Sequence, residues 1–110
     1  MSDCIFCKIA NQEIPADLLY QDEHIVAFAD IAPKAEKHLL VIPRRHIENL
    51  NDLTADDEAL MGHLMLRLPE IAAAQKLTGF RTITNTGKEG GQEVFHMHFH
   101  ILGGSELPGF

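Results

Sequence analysis

The segment Val94-Phe95-His96-Met97-His98-Phe99-His100-Ile101-Leu102 alternates three imidazoles with large apolar side chains. A neutral imidazole is a nucleophile and a protonated one is an acid. An unperturbed histidine titrates near about pH 6.5, so both roles are open near neutrality. In a strand, alternate side chains share a face. His96, His98 and His100 are therefore expected on one face, and Phe95, Met97, Phe99 and Ile101 on the other. Three readings fit these residues: an exposed face without a role, a metal-binding row, or nucleophilic and acid–base catalysis. A purification tag does not fit, because the histidines alternate with apolar residues inside the chain.

Just before the row lies Asn85-Thr86-Gly87-Lys88-Glu89-Gly90-Gly91-Gln92-Glu93. Its glycines allow the backbone to approach a ligand, and successive N–H groups there are expected to form an anion nest. Next to three histidines, this is a candidate phosphate site. A separate signal is Cys4-x-x-Cys7. That spacing suits a metal better than a framework disulfide, and two thiolates need two more N or S ligands for a tetrahedral zinc.

The elements that must hold these groups follow from periodicity. A short helix is expected at 4–11, and strands at 17–21, 24–30, 38–42, 80–85 and 94–102. Pro43 ends the third strand. In the second strand, Ile25, Ala27 and Ala29 face one way, and Val26, Phe28 and Asp30 the other. One long helix is expected at 54–78. Thr54 and Asp57 form its capping box, and Leu60, Leu64, Leu68 and Ile71 its apolar stripe. Met61 and Met65 read as core filler, Pro69 as the site of a kink or irregular turn, and Gly79 as the stop. One helix beside several strands joined by short turns predicts an α+β fold with an antiparallel sheet.

Composition narrows the function. The chain has 110 residues, 45% of them hydrophobic and 23% charged, which suits one domain over 1–110. The formal net charge of -7 argues against a nucleic-acid or anionic-membrane surface. Asp3, Lys8, Glu13 and Asp17 interrupt the first residues, so no secretory leader is expected. No apolar run approaches the roughly 20 residues needed to span a bilayer. A cytoplasmic location is expected.

Taken together, the His96-x-His98-x-His100 row, Cys4-Ile5-Phe6-Cys7-Lys8-Ile9, Ile14-Pro15, Ala27-Phe28-Ala29-Asp30-Ile31 and His38-Leu39-Leu40-Val41-Ile42-Pro43 resemble the histidine triad (HIT) nucleotide-binding proteins. The likeness covers nearly the whole chain. Gly90-Gly91-Gln92-Glu93-Val94-Phe95-His96 resembles the Hint branch, especially its bacterial members. The resemblance implies a five-stranded antiparallel sheet per subunit, dimerising into a ten-stranded sheet. It implies hydrolysis of purine nucleoside phosphoramidates to a nucleoside monophosphate and an amine, through a nucleotidyl-histidine on His98. By the same resemblance the carbonyl of His96 fixes the tautomer of His98, and His38 pairs with His100 in a proton relay. Asp30 would accept bonds from the ribose hydroxyls. Ile5, Phe6, Ile9, Ile14, Phe28 and Ile31 would wall the base pocket, and Asn85, Gly91, Gln92 and Val94 would surround the α-phosphate.

Superfamily members with such a cysteine pair hold a structural zinc, which implies the ligand set Cys4, Cys7, His46 and His96. Glu93 departs from relatives that carry a serine there to assist the leaving group. An ionised carboxylate can only accept hydrogen bonds, so Glu93 stays outside the catalytic set. Two alternatives remain open: a dinucleoside polyphosphate hydrolase or nucleotidyl transferase, and a zinc- and nucleotide-binding interaction module. The Gly-Gly-Gln-Glu segment favours the phosphoramidase. The glutamine that related polyphosphate hydrolases carry just after the triad is missing, since Leu102 is followed by Gly103-Gly104.

Overall fold

The computed structural model describes residues 3–110; residues 1 and 2 of the expected domain lie outside the described residues. The chain runs α1 (Ile5–Ala10), β1 (Leu18–Gln21), β2 (Ile25–Ala29), β3 (Lys37–Pro43), α2 (Glu58–Ala74), β4 (Phe80–Ile83) and β5 (Phe99–Gly103). Short 3-10 turns lie at Leu50–Asp52, Ala55–Asp57 and Lys88–Gly90. The strands form one antiparallel sheet in the order β1-β2-β3-β5-β4. This is the expected α+β architecture, with one long and one short helix.

Side-chain alternation divides the core into two layers. Ile25, Ala27, Leu39, Val41, Phe99 and Ile101 pack with Leu64, Leu68 and Ile71 of α2. On the opposite face, Val26, Phe28, Leu40 and Ile42 pack with Phe6 and Ile9 of α1. Both faces of β2 and β3 are therefore buried, which explains their continuous apolar runs. Each buried aliphatic side chain contributes roughly 1.5–3 kcal/mol, so the central strands make a stiff platform.

The long helix differs from expectation at both ends. Thr54 and Asp57 do form a capping box, but around the 3-10 turn that precedes α2. The helix stops at Ala74, short of Gly79. Lys76 takes the left-handed conformation (φ 65°), and the Leu77 amide donates to the Ala72 carbonyl at 3.0 Å. This is a Schellman-type close in which burial of Leu77 outweighs the cost of a left-handed lysine. The helix continues through Pro69, which lies on its exposed face. Met61 packs on the core, but Met65 is exposed and fills nothing.

The last strand is shorter than expected. Pairing between β4 and β5 begins at Ile83 and His100 and runs to Phe80 and Gly103. Residues 94–98 precede the strand, and two of their backbone groups pair outside the sheet ladder. The Met97 amide donates to the Ile47 carbonyl at 2.6 Å, and Thr84 Oγ1 donates to the His98 carbonyl at 2.8 Å. The alternation survives this change. Met97, Phe99 and Ile101 enter the α2 layer, and the three histidines lie on the α1 side. Phe95 does not follow, and is 41% exposed.

Candidate active site

Between α1, the segment after β2 and the 87–94 loop, the α1 layer opens into a cavity of about 680 Å³. Its apolar wall is Ile5, Phe6, Ile9, Ile14, Phe28 and Ile31. Its polar wall includes Asp30, His38, Asn85, His98 and His100, with the backbone of Gly91 and Val94 nearby. The structure thus brings together the expected base-pocket and phosphate residues, with one exception. Gln92 does not line the cavity; its side chain is buried and turned into the protein. Lys34 and Glu93 also line the wall. Nothing in the spacing of the sequence pointed to Lys34.

Backbone partners determine the tautomer of each histidine. The Lys34 amide donates to His38 Nδ1 at 3.0 Å, so His38 carries its proton on Nε2. That Nε2 lies 2.8 Å from His100 Nδ1, and 3.4 Å from Asp30 Oδ2. His38 therefore donates to His100, which must hold its own proton on Nε2. The strand register explains the meeting: Leu40 pairs with His100, which places His38 diagonally across on the same face. His98 Nδ1 lies 2.8 Å from the His96 carbonyl, which can only accept. His98 Nδ1 is therefore protonated, and its Nε2 keeps a lone pair. That is the form required of a nucleophile.

Burial pushes the pKa of His38 below the usual imidazole range, although the Asp30 carboxylate pulls it upward. Burial lowers His100 further, to about 4, assisted by the neighbouring His98 and His38. Both rings are therefore neutral at pH 7. An anion bound beside them would favour their charged form and raise these values.

His96 is fully buried, and its ring does not reach the cavity. Its Nε2 donates to the Pro43 carbonyl at 2.8 Å, which leaves a lone pair on Nδ1. That Nδ1 lies 3.3 Å from Cys4 Sγ and 3.5 Å from Cys7 Sγ, while His46 Nδ1 lies 3.3 Å from Cys7 Sγ. All four donor atoms fall within 4.8 Å of one another. A tetrahedral zinc with ordinary Zn–S and Zn–N bonds separates sulfur from nitrogen by about 3.5 Å. The four residues fit such a group. Bound there, zinc would cross-link α1, the segment after β3 and the approach to β5 without touching the cavity.

The glycine loop corrects one expectation. The amides of Gly90, Gly91 and Gln92 are spent inside the loop, on the carbonyls of Gly87, Lys88 and Gly87 respectively. They make a 3-10 turn and not an anion nest. Gly87 (φ 77°) and Gly91 (φ 89°) supply the left-handed backbone that this turn needs. Among the described residues, the amides of Glu93 and Val94 have no hydrogen-bond partner, and both residues line the cavity.

The family described as "Scavenger mRNA decapping enzyme C-term binding" matches residues 3–109. A histidine triad protein from Clostridium difficile superposes with a TM-score of 0.95 at 44% identity, covering 100% of this chain and 97% of that one. This chain belongs to the histidine triad family. Its relatives in that family include Protein HitA of Neisseria gonorrhoeae, 54% identical over 94% of this chain and 97% of that protein. The purine nucleoside phosphoramidase of Escherichia coli K12 is 43% identical over 96% of this chain and 90% of that enzyme. A HIT family hydrolase from Legionella pneumophila matches with a TM-score of 0.93 and 44% identity, over 96% of each chain. Among the described residues, no helix is long and apolar enough to cross a membrane.

Proposed function

We propose that this histidine triad protein is a hydrolase of purine nucleoside phosphoramidates. The observation that carries the reading is His98: its Nδ1 is bonded to the His96 carbonyl, and its ring lies on the wall of a cavity with an apolar side and a polar side. The base would lie against Phe6, Ile9 and Phe28, and the ribose hydroxyls would bond Asp30. His98 Nε2 attacks the α-phosphorus and forms a P–N bond as the bond to the amine breaks. The bound phosphate raises the proton affinity of the His38–His100 pair, and the protonated pair gives a proton to the departing amine through His100 Nε2. Water then attacks the nucleotidyl-histidine, displaces His98 and returns its proton to the pair. The products are a nucleoside monophosphate and an amine.

The 43% identity to a purine nucleoside phosphoramidase supports this choice of substrate. Adenosine 5′-phosphoramidate is expected to turn over, and a dinucleoside polyphosphate to turn over at least about 100-fold more slowly in kcat/KM, a difference of roughly 2.7 kcal/mol. The reverse order would make the chain a polyphosphate hydrolase. AMP binding with no turnover of either would make it a binding module.

The cysteine–histidine cluster is read as a structural zinc site. A cytoplasmic location suits it, because reducing conditions keep both thiols available to a metal. The functional unit is read as a homodimer. Strand β4 is a sheet edge on which Phe80 and Ile83 are 38% and 37% exposed, and pairing two such edges would give a ten-stranded sheet. Light scattering should return the mass of two chains; the mass of one would remove the dimer.

A further inference from the structure

We propose that Gln92 is a positioning residue, whose buried amide shapes the 87–94 loop so that its last amides can receive the nucleotide phosphate. The proposal rests on the reading of the cavity as a nucleotide site. A carboxamide can make four good hydrogen bonds, two as donor and two as acceptor. Gln92 makes all four. Its Oε1 accepts from the Gly87 amide at 2.8 Å and from Asn49 Nδ2 at 3.1 Å. Its Nε2 donates to the Glu48 carbonyl at 2.7 Å and to the Val94 carbonyl at 3.0 Å. The partners fix the orientation of the amide, because carbonyls cannot donate and a main-chain amide cannot accept. The side chain is only 4% exposed.

These four bonds join three pieces of chain. Gly87 is the start of the loop, Val94 is its end, and Glu48-Asn49 belongs to the separate segment after β3. The Gln92 main-chain amide also donates to the Gly87 carbonyl at 3.1 Å, so Gly87 is held on both sides. The two amides left for a ligand, those of Glu93 and Val94, lie between the Gln92 backbone and the Val94 carbonyl that Gln92 grips. A donor pair fixed before the ligand arrives loses less freedom on binding, and stabilises developing charge without reorganising. The base and ribose contacts are made elsewhere, on α1 and the segment after β2. The clamp should therefore matter to the phosphate and not to the nucleoside.

That difference gives the test. Binding of AMP and of adenosine would be measured by calorimetry for the wild type, Gln92→Met and Asn49→Asp. Methionine fills a similar volume without hydrogen bonds. Asn49→Asp keeps the oxygen that accepts from the Asn51 amide at 3.0 Å, but loses the donor to Gln92. In Gln92→Met, the Kd for AMP is expected to rise about tenfold or more, while that for adenosine stays within about twofold. Asn49→Asp should shift the same ratio in the same direction by about threefold. Gln92→Met that folds and binds AMP like the wild type would overturn the proposal, as would an equal loss of both ligands, which marks a general structural role. If Gln92→Met does not fold, Asn49→Asp decides by the same ratio. A wild type that binds neither ligand would overturn the nucleotide reading of the cavity and the clamp with it.

Discussion

His98→Ala is expected to lose turnover by about 10⁴-fold or more, while AMP still binds. The size of the loss follows from the role. Removing a nucleophile eliminates the covalent route, whereas removing a general acid or base usually costs about 10²–10⁴-fold. His100→Ala should therefore be impaired less than His98→Ala. Binding should survive the loss of His98, because the base wall, Asp30 and the Glu93 and Val94 amides are untouched. The fold should survive as well. The His98 ring lies at the cavity wall, and its one hydrogen bond is to a carbonyl that water can reach once the ring is gone. A His98→Ala protein with turnover within about tenfold of wild type would remove His98 as nucleophile.

The second large effect concerns the metal cluster. Protein purified without chelators should carry about one zinc per chain, and Cys7→Ser should carry almost none. Cys7 is the discriminating position because its sulfur lies within 3.5 Å of both His46 Nδ1 and His96 Nδ1. Serine keeps the volume but does not ionise near neutral pH, so the donor set falls to three. The melting temperature should fall on the order of 10 °C, since a chain of this size loses about 4 °C or more for each kcal/mol. Elemental analysis and thermal melts check both claims. A variant with unchanged zinc and an unchanged melt would show that the four residues do not hold the ion. His96 makes the result relevant to catalysis. Its ring belongs to the cluster, while its carbonyl holds the His98 tautomer.

The fold was readable where period and burial agreed. The alternation in β2 and β3 assigned each residue to its layer, and the stripe on α2 placed Leu64, Leu68 and Ile71 in the core. The boundaries were less legible because tertiary hydrogen bonds set them. Nothing local announces that the Met97 amide will pair with Ile47 instead of a neighbouring strand. Nor does Lys76 advertise a left-handed helix end when Gly79 stands three residues later. In the site, the histidine row was visible as a motif, and the cavity residues were implied by the family resemblance. The resemblance supplied the His96 carbonyl as partner of His98, but the other partners that make these side chains chemical groups were not legible, because they are main-chain atoms: Lys34, one turn away in a loop, for His38, and the distant Pro43 for His96 and Glu48 for Gln92. Gln92 was visible as a residue, but not as a clamp. Its role depends on a buried amide orientation that spacing cannot encode.

The most direct test is mass spectrometry of protein quenched during turnover of adenosine 5′-phosphoramidate, with the wild type beside His98→Ala. The predicted result is an adenylyl group on His98 in the wild type and no adduct in the variant. An adduct on another residue, or the same adduct level in both proteins, would contradict covalent catalysis by His98.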